Sequence, residues 1–124
     1  METRRLSVVI PAHNEEGAIA PLVRETFAVL PQDLLGEVVV VDDASRDGTA
    51  EAVRALMPAY APRLRLIRHA SRAGQSAAIR TGVAAARERL VGTMDGDGQN
   101  PPADLARLAA AWSPGGPQLV GGHR

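Results

Sequence analysis

Neither cysteine nor lysine occurs in this chain of 124 residues, and each absence removes a class of chemistry. Without cysteine there is no disulfide, no zinc–thiolate centre and no thiol nucleophile. Without lysine there is no amine to form a Schiff base and no phosphate-cradling P-loop lysine. All 14 cations are arginine, and 14 acids cancel them. A nucleic-acid surface needs a one-sided basic excess, so nucleic acid is not an expected partner. Aromatics are limited to Phe27, Tyr60 and Trp112. The core must therefore come from Ala, Val, Leu and Ile, and few side chains offer an aromatic face to a ligand. No apolar run approaches the roughly 18 residues that span a bilayer. The opening Met1-Glu2-Thr3-Arg4-Arg5 leads into only a short apolar stretch before Pro11, which does not read as a signal peptide. The expected setting is the cytoplasm.

What is present is an alternation of strand and helix patterns over a single domain, 1–124. Leu6 to Ile10 reads as a strand stopped by Pro11, with Asn14 as the N-cap of a helix that carries Glu15 and Glu16 in its first turn. Apolar residues from Ala18 to Leu30 keep helical spacing until Pro31. Glu37 to Val41 holds four consecutive valines, the mark of a central parallel strand covered on both faces. Gly48-Thr49 opens a second helix ending near Met57-Pro58. Leu64 to Ile67 is a third strand, Ala73 to Arg89 a third helix, and Leu90 to Met94 a fourth strand. Pro101-Pro102 starts a helix reaching about Trp112, and Gln118-Leu119-Val120 begins a further strand. The pattern predicts a mainly parallel α/β sheet with right-handed crossovers.

Open parallel sheets bind ligands beyond the carboxyl ends of their strands. Four segments leave those ends: 11–15, 42–48, 69–74 and 95–100. Nearly all the unpaired polar chemistry of the sequence sits there. The last segment, Asp95-Gly96-Asp97-Gly98-Gln99-Asn100, places two carboxylates at i and i+2 on a glycine-loosened turn. Such a pair suits one Mg²⁺ or Mn²⁺ ion that keeps positions open for phosphate oxygens. A solvated Asp-Gly turn before a proline-started helix is the alternative.

Taken together these loops resemble glycosyltransferase family 2, whose fold is GT-A, a Rossmann-like nucleotide-sugar-binding architecture. The resemblance rests on Val8 to Glu16, on Val39 to Thr49, on Ala73 to Gly82 and on the Asp95-Gly96-Asp97 "DXD" element, in that order. The segment from Asp95 to Pro102 looks most like the subgroup resembling dolichyl- or polyprenyl-phosphate mannose synthases.

The resemblance implies a metal-dependent, inverting transfer from a nucleoside-diphosphate sugar, with Mg²⁺ or Mn²⁺ as cofactor and a polyprenyl phosphate at the cytoplasmic membrane face as a candidate acceptor. It also implies roles. Pro11, His13 and Glu15 line the nucleotide pocket, His13 standing where relatives often carry an aromatic residue; a solvent-exposed helix-entry residue is its alternative. Asp42 accepts a hydrogen bond from the base, while Asp43 serves as a turn carboxylate. Arg72, where many relatives carry Asn, contacts base or phosphate or stays on the surface. Gly74 and the small residues after it let the third helix pack close to the sheet. Asp97 contacts the metal directly, Asp95 orients ribose or metal-bound water, Gly96 lies between them, and Gln99 approaches sugar or phosphate. Arg46 and Asp47 read as structural, and His69 and Arg80 carry no separate signal.

An inverting enzyme needs a general base. The resemblance puts it, with the acceptor site, beyond Arg124, since Asp104 and Glu88 both suit helix surfaces. The sequence thus looks like a donor-binding part, apparently truncated, with an unpaired sheet edge near Leu119-Val120 that favours self-association. A non-catalytic nucleotide-sugar-binding fragment is the alternative function. A signalling receiver domain, which also pairs Asp residues after a valine-rich strand, needs a lysine that this chain lacks.

Overall fold

The computed structural model describes residues 5–95. They form, in order, β1 (Leu6–Ala12), α1 (Ile19–Val29), β2 (Leu35–Asp42), α2 (Thr49–Tyr60), β3 (Leu64–Arg68), α3 (Gln75–Ala85) and β4 (Leu90–Thr93). The strands make one parallel sheet of order β3-β2-β1-β4. The helix expected after Pro101 and the strand at Gln118 lie outside the described residues.

Two-residue periodicity decides which helix covers which face. Val8 and Ile10 of β1, with Val38 and Val40 of β2, pack under α1 and α2 in one apolar cluster. Val9, Val39 and Val41 face the other way, against Ala78 of α3. Moving from β1 to β2 to β3 in one direction keeps α1 and α2 on one face. The return past β1 to β4 puts α3 on the opposite face, as right-handed crossovers require. The strand order reverses between β1 and β4, and the loops after those strands flank the resulting crevice.

Several boundaries differ from the pattern. Pro11 does not stop β1; the strand continues to Ala12. Met94 N donates to Val9 O on the β4 side, and Asp43 N donates to Ala12 O on the β2 side. Parallel strands alternate sides residue by residue, so the imide nitrogen of Pro11 points past the end of β4 and forfeits no ladder bond. Asn14 is not an N-cap: α1 begins at Ile19 after Ala18, with no side-chain cap bond, and Asn14 takes a left-handed φ of 55°. Pro58 lies inside the last turn of α2, where it has no N–H to offer the carbonyl of Arg54 four residues back. The third helix is shorter than expected, so Glu88 sits in the turn before β4 rather than on a helix.

Close packing of α3 on the sheet comes from Ala78 and Gly82, one turn apart. A Cβ on Gly82 would collide with Val9 Cγ1, whereas one on Gly74 would meet nothing. Gly74 instead supplies φ +100° immediately before α3, a conformation that side-chain-bearing residues avoid.

Candidate functional site

The loops after β1 and β2 are joined by exchanged side-chain-to-backbone bonds. Asn14 N donates to Ser45 Oγ (2.8 Å), and Arg46 N donates to Asn14 Oδ1 (2.9 Å). Gly48 N donates to Glu16 Oε1 (2.9 Å), Glu16 N to Asp47 Oδ2 (3.3 Å), and Glu15 N to Thr49 Oγ1 (2.8 Å). Asp47 also accepts from the Thr49 hydroxyl, which with its other bonds brings its carboxyl below the ordinary 3.8. Ala44 is held in the left-handed region at φ 57°. That costs an L-residue about 1 kcal/mol, and such strain persists only where the surroundings over-determine it.

Asp42, the last residue of β2, and Asp43 after it point to opposite faces. Asp42 is fully buried. Its Oδ1 accepts from Ser45 N (3.1 Å), closing the turn into α2. Its Oδ2 lies 2.8 Å from Arg68 Nε as an ion pair, but off the N–H direction, so it has no hydrogen-bond partner. Arg68 also donates to Ser45 O (3.1 Å). Asp43 turns toward α3 and gathers the loop after β3. Oδ1 accepts from Ala73 N and from His69 Nδ1, and Oδ2 from Gly74 N, all at 2.8 Å. Burial acts to raise its pKa, but these donors and the charge of His69 hold it below the ordinary 3.8. His69 completes the tie through Nε2 to Thr81 Oγ1 (2.8 Å) on α3.

Above these aspartates opens a polar cleft of about 590 Å³, lined by His13 and Asn14 after β1, Ala44 and Arg46 after β2, and residues 70–72 after β3. His13 Nδ1 lies 2.7 Å from Asp43 O, so Nδ1 is the donor; Nε2 then accepts from Asn14 Nδ2 at 3.2 Å. These two contacts hold the imidazole in place with its ring half-exposed. On the far side of β1, Asp95 follows β4, and its Oδ1 accepts from Gln75 Nε2 (3.1 Å) at the start of α3.

The family model described as "Glycosyl transferase family 2" matches residues 7–124. The chain belongs to glycosyltransferase family 2. Over 111 residues it is 36% identical to a dodecaprenyl-phosphate galacturonate synthase of Rhizobium johnstonii, covering 89% of this chain and 33% of that protein. It is 40% identical over 104 residues to an undecaprenyl-phosphate 4-deoxy-4-formamido-L-arabinose transferase of Pseudomonas aeruginosa, covering 83% and 31%. Among solved structures, the Pyrobaculum calidifontis mannosyltransferase PcManGT, in complex with GDP-Man and Mn²⁺, superposes with a TM-score of 0.75 at 32% identity, covering 89% of this chain and 33% of that one. The fold is the Rossmann-like GT-A type, and the chain spans about a third of the length of these relatives.

In this family 2 chain the expected site residues fall into three groups. His13 and Arg72 line the cleft, joined by Arg46, which the sequence had left as structural. Pro11 and Asp42 are buried and do not line it, while Glu15 and Gly74 stand in the neighbouring loops. Asp95 lies at the crevice next to β4; Gly96, Asp97 and Gln99 lie outside the described residues. Among the described residues no three His, Asp or Glu side chains cluster as a metal site.

The polar groups that sequence reasoning missed are structural. Glu37, at the opposite end of the sheet, is buried and accepts from Ser7 Oγ, Arg65 and Arg87 N, each at 2.7 Å. Burial presses its pKa upward, yet these bonds and the Arg65 charge keep it below 4.5. An acid at the head of a valine run was the available signal, since a charge buried in a sheet must be paired.

Proposed function

We propose that this chain forms the nucleotide-sugar-binding part of a metal-dependent, inverting glycosyltransferase whose acceptor is a polyprenyl phosphate at the cytoplasmic membrane face. The observation that carries this reading is the placement of the cleft: it sits over β1, β2 and β3, with Asp95 across β1 at the strand-order reversal. The nucleoside then occupies the cleft and the diphosphate extends over β1 toward Asp95. The names of the relatives supply the acceptor class, and the GDP-Man and Mn²⁺ of PcManGT the donor class and the kind of ion. No helix among the described residues is long and apolar enough to cross a membrane, which suits a domain working at the membrane face.

In the proposed reaction an oxygen of the acceptor phosphate attacks the anomeric carbon from the side opposite the diphosphate. The anomeric C–O bond breaks, the diphosphate leaves with its electron pair, and any acceptor proton passes to a base outside the described residues. Asp95 and Asp97 would hold Mg²⁺ or Mn²⁺, which supplies positive charge against the leaving diphosphate. His13 fixes the nucleoside, and the Asp43 tie holds Arg72 and Gly74 in place. A base can reach Asp42 only if Arg68 and Ser45 yield, so Asp42 acts on the base by supporting that loop unless Arg68 swings away.

Calorimetric titration with UDP and GDP, with metal and with excess chelator, tests the reading. Metal-dependent binding that falls at least ten-fold in Asp95→Asn is expected; equal binding in chelator would refute the metal role. Asp42→Ala compared on nucleoside diphosphate and on ribose 5-diphosphate separates a base contact from loop support, since only a base contact spares the baseless ligand. A second reading, donor binding without transfer by this chain alone, is favoured by its covering about a third of its relatives. Binding without sugar transfer to polyprenyl phosphate would select it.

A further inference from the structure

The cleft holds a chemical imbalance. Its described lining contains two arginines and a histidine but no acid and no Phe, Tyr or Trp ring. Phe27 and Tyr60 are stacked on each other (centroids 4.2 Å apart), with Arg63 over Phe27. They belong to the last turns of α1 and α2, at the end of the sheet where the strands begin. A ligand in the cleft therefore finds the His13 imidazole but no Phe, Tyr or Trp face among the described residues. Three other arginines are held in ion pairs: Arg54 by Glu51, Arg65 by Glu37, Arg68 by Asp42. The Arg46 and Arg72 guanidinium groups have no ion-pair or hydrogen-bond partner among the described residues. Both are exposed, and both stand on loops whose backbones are fixed. Arg46 N is held by Asn14, and Arg72 immediately precedes the Ala73 and Gly74 amides held by Asp43.

We propose that Arg46 and Arg72 hold the nucleobase of the donor through the planar faces of their guanidinium groups, beside the His13 ring. This rests on the nucleotide-sugar reading above and adds Arg46 as a binding residue. Guanidinium is planar and weakly hydrated and stacks on π systems, which an ammonium does not do equivalently. Stacking is tolerant of base identity, because every base has a π face. The pair therefore supplies affinity for nucleosides as a class and leaves discrimination between bases to other contacts.

The test is titration of the whole chain, wild type and Arg46→Ala, Arg46→Lys, Arg72→Ala and Arg72→Lys, with UDP, GDP and baseless ribose 5-diphosphate in saturating Mn²⁺. Each alanine variant is expected to weaken both nucleotides about ten-fold, the scale of one stacked base. Lysine should fail to restore binding, and ribose 5-diphosphate should bind all five proteins alike. Restoration by lysine together with equal loss of ribose 5-diphosphate would overturn stacking in favour of a phosphate contact. Unchanged nucleotide binding in all variants would overturn any role. If the wild type binds neither nucleotide, the parent reading fails and this one with it. Unchanged melting temperatures in the variants, expected for exposed side chains, exclude unfolding as the cause of a loss.

Discussion

Where the strands begin, Glu37 takes three donors from Ser7, Arg65 and Arg87, Arg63 caps Leu35 O, and Phe27 closes on Tyr60. Where the strands finish, Asp43 also takes three donors, but the arginines above it face solvent across an open cleft. Both ends carry charge. The first spends it on closing the sheet. The second uses buried carboxylates to fix loop backbones and leaves the side chains on those loops available. A rigid scaffold with unpaired groups on its loops is the arrangement that binding sites require.

The comparison breaks if the closed end proves dispensable. Glu37→Ala strands the Ser7 hydroxyl, the Arg87 N–H and part of the Arg65 charge, and should cost about 3 kcal/mol. Urea unfolding measures the loss, while nucleotide affinity of the folded fraction should not change. A loss below about 1 kcal/mol would mean that the network does not hold that end.

Next in size is the seat of α3. Gly82→Ala forces a methyl against Val9 and should cost about 2 kcal/mol by overpacking. Calorimetric melting would show it; a neutral result would mean that α3 is free to lift from the sheet.

Asp43→Asn sharpens the contrast from the open end. One amide oxygen cannot serve Ala73 N, Gly74 N and His69 as a carboxylate does, so stability should fall by about 1.5 kcal/mol. Hydrogen exchange should quicken at the Ala73 and Gly74 amides, and nucleotide binding should weaken with it. Acid should act in the same sense. Glu37 and Asp43 both titrate below their ordinary 4.5 and 3.8 when folded. Their contribution is therefore complete above those values and is lost as pH falls through the lower folded ones. Melting temperature should drop through this acid window in the wild type and drop less in Asp43→Asn; parallel curves would deny Asp43 a part.

The smallest effect expected is a gain. Ala44→Gly relieves the left-handed strain and should stabilise the chain by about 0.5 kcal/mol. No gain in melting temperature would show that the loop relaxes around the alanine.

Much of the fold was legible because it follows from patterns that survive in any context. The valines of β2 announce a strand covered twice, and alternating helices leave a parallel sheet as the solution. The misread boundaries share a cause. Pro11 and Asn14 were judged by local propensity, but the register of β4 frees Pro11 from its ladder bond, and Ser45 and Arg46 recruit Asn14 across the sheet. Gly74 was judged by its size, whereas its φ is what the loop uses.

At the site, residue order by itself determined that polar groups gather on the loops after the strands, that Asp95 and Asp97 come after the fourth strand in the chain, and that every cation is a guanidinium. It could not determine which of two adjacent aspartates would be sealed under an arginine and which would gather a neighbouring loop. Nor could it tell that Arg46 faces the cleft beside Arg72. Those outcomes depend on contacts about 30 residues apart in the chain, set by the β3-β2-β1-β4 order and the strand register. Local sequence encodes periodicity and turn chemistry; only the assembled sheet brings the ends of separate strands within hydrogen-bonding distance.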